Sequence, residues 1–460
     1  MDSRWFGRLF VPFALFLIVI LLPTPDGLSR DAHLMFGVMA FATSIFLLQP
    51  IPLGLSGILV LVMPMILGVS TAGEVFSTFG NSAVFFLIGA FIMAASIERT
   101  SLHKRVSLLF LKMSGRSPRL FVLATMLAGA SLSLIMPEHG VIVLIIPILM
   151  FIMVGMGRSG FGSNFAKSVM IGAAYGCSVG SIVTPLGGAR NPLTIAFLDS
   201  QGIEVSFLRW MVISAPVAII SIFLVWLILI KMYPPEMEDL KDGHSLIKDE
   251  VKKLPRPSRY HLSIMGVLAL SIAAWMVLPH FYGVNLSVIA LIGGISMFVV
   301  GGLKWEDVES RIPWGIILLY GGAISMGVHL ADTGGAEWIA DQMLSLTGGS
   351  ALLAIVFIVL LTKLLTEVMS NTAAVSILLP IAYGVALGTG LPPIMTCMLV
   401  GLSGGLAFMF LISTPGNLIS YSTGYFTQKD LFKVGLAANI VTVIVVLITA
   451  YTYWKIIGVW

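Results

Sequence analysis

The sequence predicts an all-α polytopic membrane protein of two inverted repeats, with about 11 transmembrane helices, two re-entrant hairpins and helices broken near the bilayer midplane. Three observations predict it: a charge-poor composition, long runs without ionisable residues, and the same residues recurring at one offset. Of 460 residues, 58% are hydrophobic and 10% charged, against about 25% charged in an ordinary soluble protein. Mean hydropathy is +1.01. So few charges cannot cover a water-facing surface of this size, and the solvent for most of the chain is lipid. A nucleic-acid binder, a secreted disulfide scaffold and an ordinary cytosolic enzyme are thereby excluded. The pI of about 9.0 matters less than where the cations fall. Cys177 and Cys397 lie in apolar runs without metal-ligand neighbours and read as small buried hydrophobes.

Arg4 and Arg8 precede an apolar stretch, 9–22, which no small-residue cleavage site follows. It reads as a retained first span in an N-terminal unit, 1–29. Residues 34–73 carry no Asp, Glu, Lys, Arg or His, and Pro50 and Pro52 divide them into two spans. Further such runs cover 75–97, 120–137, 140–157, 168–189, 210–230, 262–279, 281–303, 312–328, 342–362 and 434–454. Most approach the ~20 residues that cross hydrocarbon. The longest, 368–428, must hold more than one passage, broken at Gly390-Leu391-Pro392-Pro393 and Thr414-Pro415-Gly416-Asn417.

Simple alternation of these runs scatters the cations over both faces. Treating 119–156 and 350–386 as hairpins that return to their own side sorts them. The cytoplasmic face then holds Arg4, Arg8, six cations between Arg99 and Arg119, Arg158, Lys167, Lys231, the 233–259 loop, Lys304, Arg311, Lys429 and Lys433. Only Arg30, Arg209 and Lys455 fall outside. Such a bias puts the protein in a cytoplasmic (inner) membrane with its N-terminus inside and its C-terminus outside. The chain therefore divides into 1–29, a first repeat 30–232 (hairpin 119–156, broken helix 168–200), a cytoplasmic linker 233–259, and a second repeat 260–460 (hairpin 350–386, broken helix 393–427). The linker alternates acids and bases and reads as a connector with no site of its own.

The repeat emerges by subtraction. Gly89-Ala90 returns as Gly322-Ala323, Thr100 as Thr333, Met136 as Met369 and Pro147-Ile148 as Pro380-Ile381, all 233 residues on. An odd number of passages per half inverts the second copy, and inverted repeats with broken helices are a secondary-transporter architecture. The offset pairs two hairpin tips, Pro137-Glu138-His139 and Ser370-Asn371-Thr372. After each comes a break, first Thr184-Pro185-Leu186-Gly187-Gly188-Ala189-Arg190-Asn191-Pro192 and then Thr414-Pro415-Gly416-Asn417. Helices stopped by Pro and Gly leave backbone groups unpaired at mid-membrane depth, tolerable only beside a cavity or ligand. Half-helix N-termini present partial positive charge to an anion, and carbonyl, Ser, Asn and Thr oxygens can coordinate Na+.

Thr366-Glu367-Val368-Met369-Ser370-Asn371-Thr372-Ala373-Ala374 with Pro380, then Ser413-Thr414-Pro415-Gly416-Asn417-Leu418-Ile419, resembles the second-half signature of the divalent anion:Na+ symporter (DASS) family. The resemblance extends over essentially the whole chain. It implies a homodimer, each protomer with a scaffold and a moving transport domain. It also implies elevator-type alternating access and Na+-coupled or exchange transport of di- and tricarboxylates or sulfate. By the same resemblance, Ser370, Asn371, Thr372, Thr414 and Pro415 contact substrate, and one Na+ sits near Thr366, Asn371 and Ser413. Asn417, Asn191, Arg190, Glu138 and His139 join the substrate candidates as residues of the tips and breaks.

The first half departs from the family pattern, with Pro-Glu-His where Ser-Asn-Thr is usual. Ser133 matches Thr366 at offset 233, so Ser133, Glu138 and Gly187 mark a first site for Na+ or H+. Glu138, His139 and Arg190 are expected to meet there, and three readings stay open. Arg190 replaces the first sodium as a fixed cation, pairing Glu138 or reaching a substrate carboxylate. Alternatively, Glu138 and His139 form a proton site, or Glu138 and Arg190 form a structural pair. Lys363 and Glu367, four apart on one helical face, read as a simple ion pair. The expected partners are a small dianion, membrane lipid and a second copy, with no nucleic acid. Rival readings are a monovalent-cation/proton antiporter, opposed by the fixed charge of Arg190, and an intramembrane lipid-handling enzyme using Glu138 and His139, for which no nucleophile is present. No Gly-rich Lys loop signals an ATP-driven pump.

The cation map sets a topology test. A cysteine at Ser245 should react with an impermeant maleimide from the cytoplasm only, and one at Gly348 from outside only. Labelling of both from the same side would end the inverted arrangement.

Overall fold

A computed structural model describes residues 3–100, 102–157, 162–254, 256–301 and 304–459. Arg158, counted above among the cytoplasmic cations, lies outside these residues, and the side chain of Arg4 is likewise not described. The chain is a multi-pass membrane protein. The first stretch holds α1 (Ser3–Leu21), α2 (Arg30–Leu48), α3 (Leu53–Ile66), α4 (Ala72–Phe79) and α5 (Ser82–Glu98). Next come α6 (Leu102–Met113), a helical hairpin of α7 (Pro118–Leu132) and α8 (Glu138–Gly155), an interrupted pair α9 (Asn164–Ser181) and α10 (Arg190–Ser200), and α11 (Phe207–Met232). The linker carries α12 (Lys241–Lys253). The second half repeats the plan. It runs α13 (Arg259–Tyr282), α14 (Leu286–Gly301), α15 (Trp305–Glu309), α16 (Trp314–Asp332) and α17 (Gly335–Leu346). A second hairpin of α18 (Ala351–Val368) and α19 (Asn371–Thr389) precedes the interrupted pair α20 (Pro393–Ser403) and α21 (Pro415–Ser422). The chain closes with α22 (Gln428–Tyr451) and α23 (Tyr453–Ile456).

Among the described residues nine helical stretches are long and apolar enough to cross a membrane, and shorter apolar helices accompany them. With each interrupted pair taken as one span, α1, α2, α3, α5, α11, α13, α14, α16 and α22 complete the set, beside the two hairpins. The helices missing from the sequence reading are the short or amphipathic ones. α6 and α17 are 12 residues long and charged or polar along one side, so no apolar run marks them. They begin at Leu102 and Gly335, which stand 233 apart, as do the first residues of α3 and α14, α7 and α18, and α8 and α19.

The halves pack crosswise. α3 of the first half lies on α16 of the second, and α14 of the second on α5 of the first. Glycine permits both contacts. A Cβ at Gly322 would stand 2.0 Å from the Gly57 carbonyl oxygen, and one at Gly89 would stand 2.3 Å from the Ala290 carbonyl carbon. Gly57 and Ala290 are themselves 233 apart. Small residues let helix backbones touch where lipid supplies no hydrophobic drive to association. A second body gathers the hairpins and interrupted pairs. α10 lies on α19 and α20, while α21 lies on α8 and α9, again exchanging partners between halves.

The linker is more than a spacer. Its helix α12 docks on α6 and α8, tied by Lys104 to Glu250 at 3.1 Å and Arg116 to Asp239 at 3.7 Å. Just before it, Glu236 accepts from the Phe165 N–H at 3.1 Å and the Ser163 hydroxyl at 3.2 Å, capping α9. Partial burial alone would raise the Glu236 carboxyl, but these donors hold it below the usual carboxylate range. Tyr233 donates to Asp430 at 3.0 Å, and Lys167 pairs with the same carboxylate at 3.3 Å.

The glycine seam is testable by thermal unfolding in detergent. Gly322→Ala and Gly89→Ala should each cost about 1–3 kcal/mol, because the methyl meets backbone that cannot turn aside. Gly266→Ala, inside α13 with nothing within 4 Å, should hold or slightly raise the melting temperature, since Ala favours the helix.

Candidate functional site

The chemistry-bearing residues converge where the tips and breaks meet. The hairpin entry helices α7 and α18 are capped by Ser117 and Ser350, but the returning α8 and α19 start on Pro137 and Ser370 with no side-chain cap. α10 starts equally uncapped on Ala189. Their partial positive charge stays inside the protein, and at α8 and α10 backbone carbonyls of the first break take the Glu138 and Asn191 N–H groups, at 3.0 Å each.

In the first half, Glu138 is buried at the tip. Its backbone N–H donates to the Gly187 carbonyl at 3.0 Å, fastening the tip to the break. One carboxylate oxygen accepts from the Ser181 hydroxyl at 2.6 Å, and the other lies 3.5 Å from Arg190 Nη1. Arg190 Nη2 also donates to Ser181, and Nε has no hydrogen-bond partner. The guanidinium fills space that only glycine leaves. Cβ atoms at Gly188 and at Gly405 of the second break would fall 2.6 and 2.3 Å from its nitrogens. Arg190 thus lies where the breaks touch, and it is 2% exposed. Gly187 is equally constrained, for its Cβ would stand 2.3 Å from the Ser181 carbonyl oxygen and 2.6 Å from that of Ser133. The sequence reading brings His139 into this group, and the structure sets it within electrostatic reach of the Glu138 carboxylate. Among the described residues no hydrogen bond joins His139 to Glu138 or Arg190, while Gly140 beside it adjoins the Glu98 carboxylate.

Each break is braced by an asparagine just inside the following helix. Asn191 Nδ2 donates to the Ser181 and Thr184 carbonyls, both at 2.7 Å. Asn417 Nδ2 donates to the Phe410 carbonyl and the Ser413 hydroxyl, both at 3.0 Å. In both cases the amide oxygen is buried without a partner, as is the Asn371 amide oxygen at the second tip. Thr414 caps α21, accepting from the Asn417 N–H at 3.2 Å, and Pro415 takes the first helical position. Thr366 donates its hydroxyl back to the Thr362 carbonyl at 2.9 Å, leaving lone pairs as its only offer to a ligand. Its methyl lies 3.7 Å from where a Gly404 Cβ would be. Ser370 is half-buried, and Thr372 is buried with 8% exposure.

Lys363 and Glu367 correct the sequence reading. They do not pair directly. Glu367 accepts from the N–H groups of Phe408 (2.7 Å), Met409 (3.0 Å) and Phe410 (3.1 Å), while Lys363 donates to the Leu406 carbonyl. Asn439 stands between them, donating to Glu367 at 2.6 Å and accepting from Lys363 at 3.0 Å. Helical spacing alone could not show that the second break passes within reach of both. Ser181 was also missed, for a hydroxyl at the end of an apolar span carries no signal.

Among the described residues no three His, Cys, Asp or Glu side chains converge on a metal, so a transition metal has no ligand set. Unpartnered amide and hydroxyl oxygens beside broken helices suit a hard monovalent cation instead.

The family model described as "Sodium:sulfate symporter transmembrane region" matches residues 3–460. A protein of Staphylococcus saprophyticus named sodium-dependent dicarboxylate transporter SdcS is 26% identical over 464 residues, covering 95% of this chain and 89% of that protein. Its namesake in Staphylococcus aureus is 26% identical over 472 residues, covering 96% and 90%. The crystal structure of the Alcanivorax borkumensis YdaH transporter, reported to have an unusual topology, superposes with a TM-score of 0.57 at 15% identity, covering 99% of each chain.

The bracing role of the paired asparagines is open to test. Asn191→Asp and Asn417→Asp each keep the shape but remove the two donors that tie the break, so each should lower the melting temperature by several degrees. Unchanged melting in both would remove the bracing role.

Proposed function

This chain belongs to the sodium:sulfate symporter family, and we propose that within it the chain is a Na+-coupled secondary transporter of small organic dianions, namely di- and tricarboxylates. Family membership makes it a transporter and not an enzyme. The carboxylate substrate and the sodium dependence are supported by relatives that carry them in their names. The observation that carries the reading is the joined pair of breaks. The uncapped start of α19 at the second tip offers N–H groups to a carboxylate, and three buried amide oxygens, of Asn191, Asn371 and Asn417, lack any donor. A dianion and a cation together satisfy what neither alone could.

In this reading Ser370, Asn371, Thr372, Thr414, Pro415 and Asn417 face the substrate, and Na+ sits at Thr366, Asn371 and Ser413. The first cation position, at Ser133, Glu138 and Gly187, is served by the Arg190 guanidinium, which already spans Glu138 and Ser181. One sodium therefore accompanies each dianion at most.

Elevator-type access draws support from an asymmetry between the halves. In the first, Gly140, two residues past the tip, adjoins Glu98 at the end of α5. In the second, Gly327 of α16 adjoins Pro380, nine residues past Asn371. Copies related by 233 would show the same register if the hairpins stood level. The unequal registers fit a body of hairpins and breaks, α7–α11 and α18–α22, displaced along a scaffold of α1–α5 and α13–α16. Exchange of registers between the halves would then give the opposite-facing state. The scaffold would form the homodimer interface, and the termini would lie as the cation map has them, N-terminus inside and C-terminus outside.

Binding to protein in detergent and uptake into liposomes test the site. Asn371→Ala and Thr372→Ala should each weaken succinate binding by about 1–3 kcal/mol, the cost of losing a buried hydrogen-bond partner, with folding retained. Wild-type affinity in both would sink the assignment.

Arg190 gives the sharper test. Arg190→Ala should abolish succinate uptake at every pH, unrescued by high Na+, and Arg190→Lys should remain poor because an ammonium cannot span Glu138 and Ser181 as a planar fork does. Full uptake by a well-folded Arg190→Ala protein would refute the surrogate role. A double neutral replacement of Glu138 and Arg190 that regains both stability and uptake would reduce the pair to a structural one.

A further inference from the structure

We propose that Glu367 is a positioning residue for the cation end of the site, a tethered carboxylate that holds the second break in the shape Na+ requires. The proposal rests on the reading of Thr366, Asn371 and Ser413 as the sodium position. Glu367 is 1% exposed. Its two oxygens accept from three consecutive backbone N–H groups, those of Phe408, Met409 and Phe410. Successive N–H groups turned to one point make an anion-binding concavity, and here the chain fills that concavity with its own carboxylate. Phe410 then passes the constraint on. Its N–H is held by Glu367, and its carbonyl accepts from the Ser413 hydroxyl at 2.7 Å and from Asn417 Nδ2 at 3.0 Å. Glu367 thus lies one residue from Thr366 along α18 and two hydrogen bonds from Ser413 and Asn417 across the break.

Its charge is balanced at one remove. Lys363 donates to Asn439 Oδ1 and to the Thr442 hydroxyl at 2.9 Å, and Asn439 Nδ2 turns back to Glu367. Because the ammonium does not take the carboxylate directly, both oxygens stay free for the backbone. The arrangement belongs to the second half only. The residue 233 before Glu367 is Leu134, whose carbonyl merely accepts from the Thr184 hydroxyl at 2.7 Å. A carboxylate clamp therefore stands in the half with the sodium reading and is missing from the half where Arg190 supplies the charge.

The test is thermal unfolding of purified protein titrated with NaCl at constant ionic strength (choline chloride balance), beside Na+ dependence of succinate uptake. Wild type should be stabilised by Na+ with a defined half-saturating concentration. Glu367→Gln puts an amide donor among three donors and should raise that concentration at least ten-fold while gel filtration still shows a single symmetric peak. Glu367→Ala should behave likewise, with formate at tens of millimolar restoring part of the Na+ response by filling the vacated concavity. Asn439→Ala, which removes only the bridge, should give a several-fold rise and carries the test if the Glu367 variants do not fold. A purely structural residue would lower melting in choline and leave the half-saturating Na+ where it was. That result in Glu367→Gln, or in Asn439→Ala should the former not fold, overturns the positioning role alone. A wild type indifferent to Na+ would overturn the sodium reading and this proposal together.

Discussion

A peptide group that finds no partner in hydrocarbon costs several kcal/mol, and most of this structure follows from where the chain nonetheless leaves such groups. It does so at two hairpin tips and two breaks, and it surrounds each with polar side chains that would be expensive anywhere else in the membrane. Asn191 and Asn417 tie the breaks with their nitrogens and leave their oxygens open. Glu367 takes three N–H groups at once. The glycines of the breaks let backbone and guanidinium approach to distances that a methyl group would forbid. Fixed but unsatisfied groups bind best, since the ordering cost was met on folding.

Arg190 is the joint between the halves. It belongs to the first break, pairs with the first tip through Glu138, and lies against Gly405 of the second break. A buried arginine with one carboxylate 3.5 Å away and an unpartnered Nε is incompletely satisfied. The repeat makes its presence conspicuous, because the second half meets the same geometric problem with uncharged Ser370, Asn371 and Thr372.

Fold class was legible because lipid imposes simple rules: charge-free runs for spans, cation bias for sides, and subtraction for the repeat. The tips and breaks were legible because Pro and Gly interrupt apolar sequence at matching offsets. Contacts between distant elements were not. Lys363 and Glu367 satisfy the spacing of an ion pair, yet each turns to the 404–414 segment, about forty residues on. His139 adjoins Glu138 in sequence, but successive residues on a helix point about 100° apart, and His139 feels the Glu98 carboxylate as well as that of Glu138. The short helices α6 and α17 escaped because twelve mixed residues at an interface lack both a long apolar run and a boundary of prolines.

The crosswise glycine seam has a consequence in time. The face of α3 that carries Gly54 and Gly57 meets its partner only in α16, which is synthesised some 260 residues later. At about 5–20 residues per second, that face waits on the order of tens of seconds in the membrane with nothing but lipid, or a chaperone, against it. α5 waits less, since α14 follows sooner. Neither half can complete its own scaffold, so a nascent chain interrupted near the linker would leave two backbone-exposing helix faces unpaired. The duplicated plan thus makes the protein an obligate late assembler, whose quality is decided only after the second half has entered the bilayer.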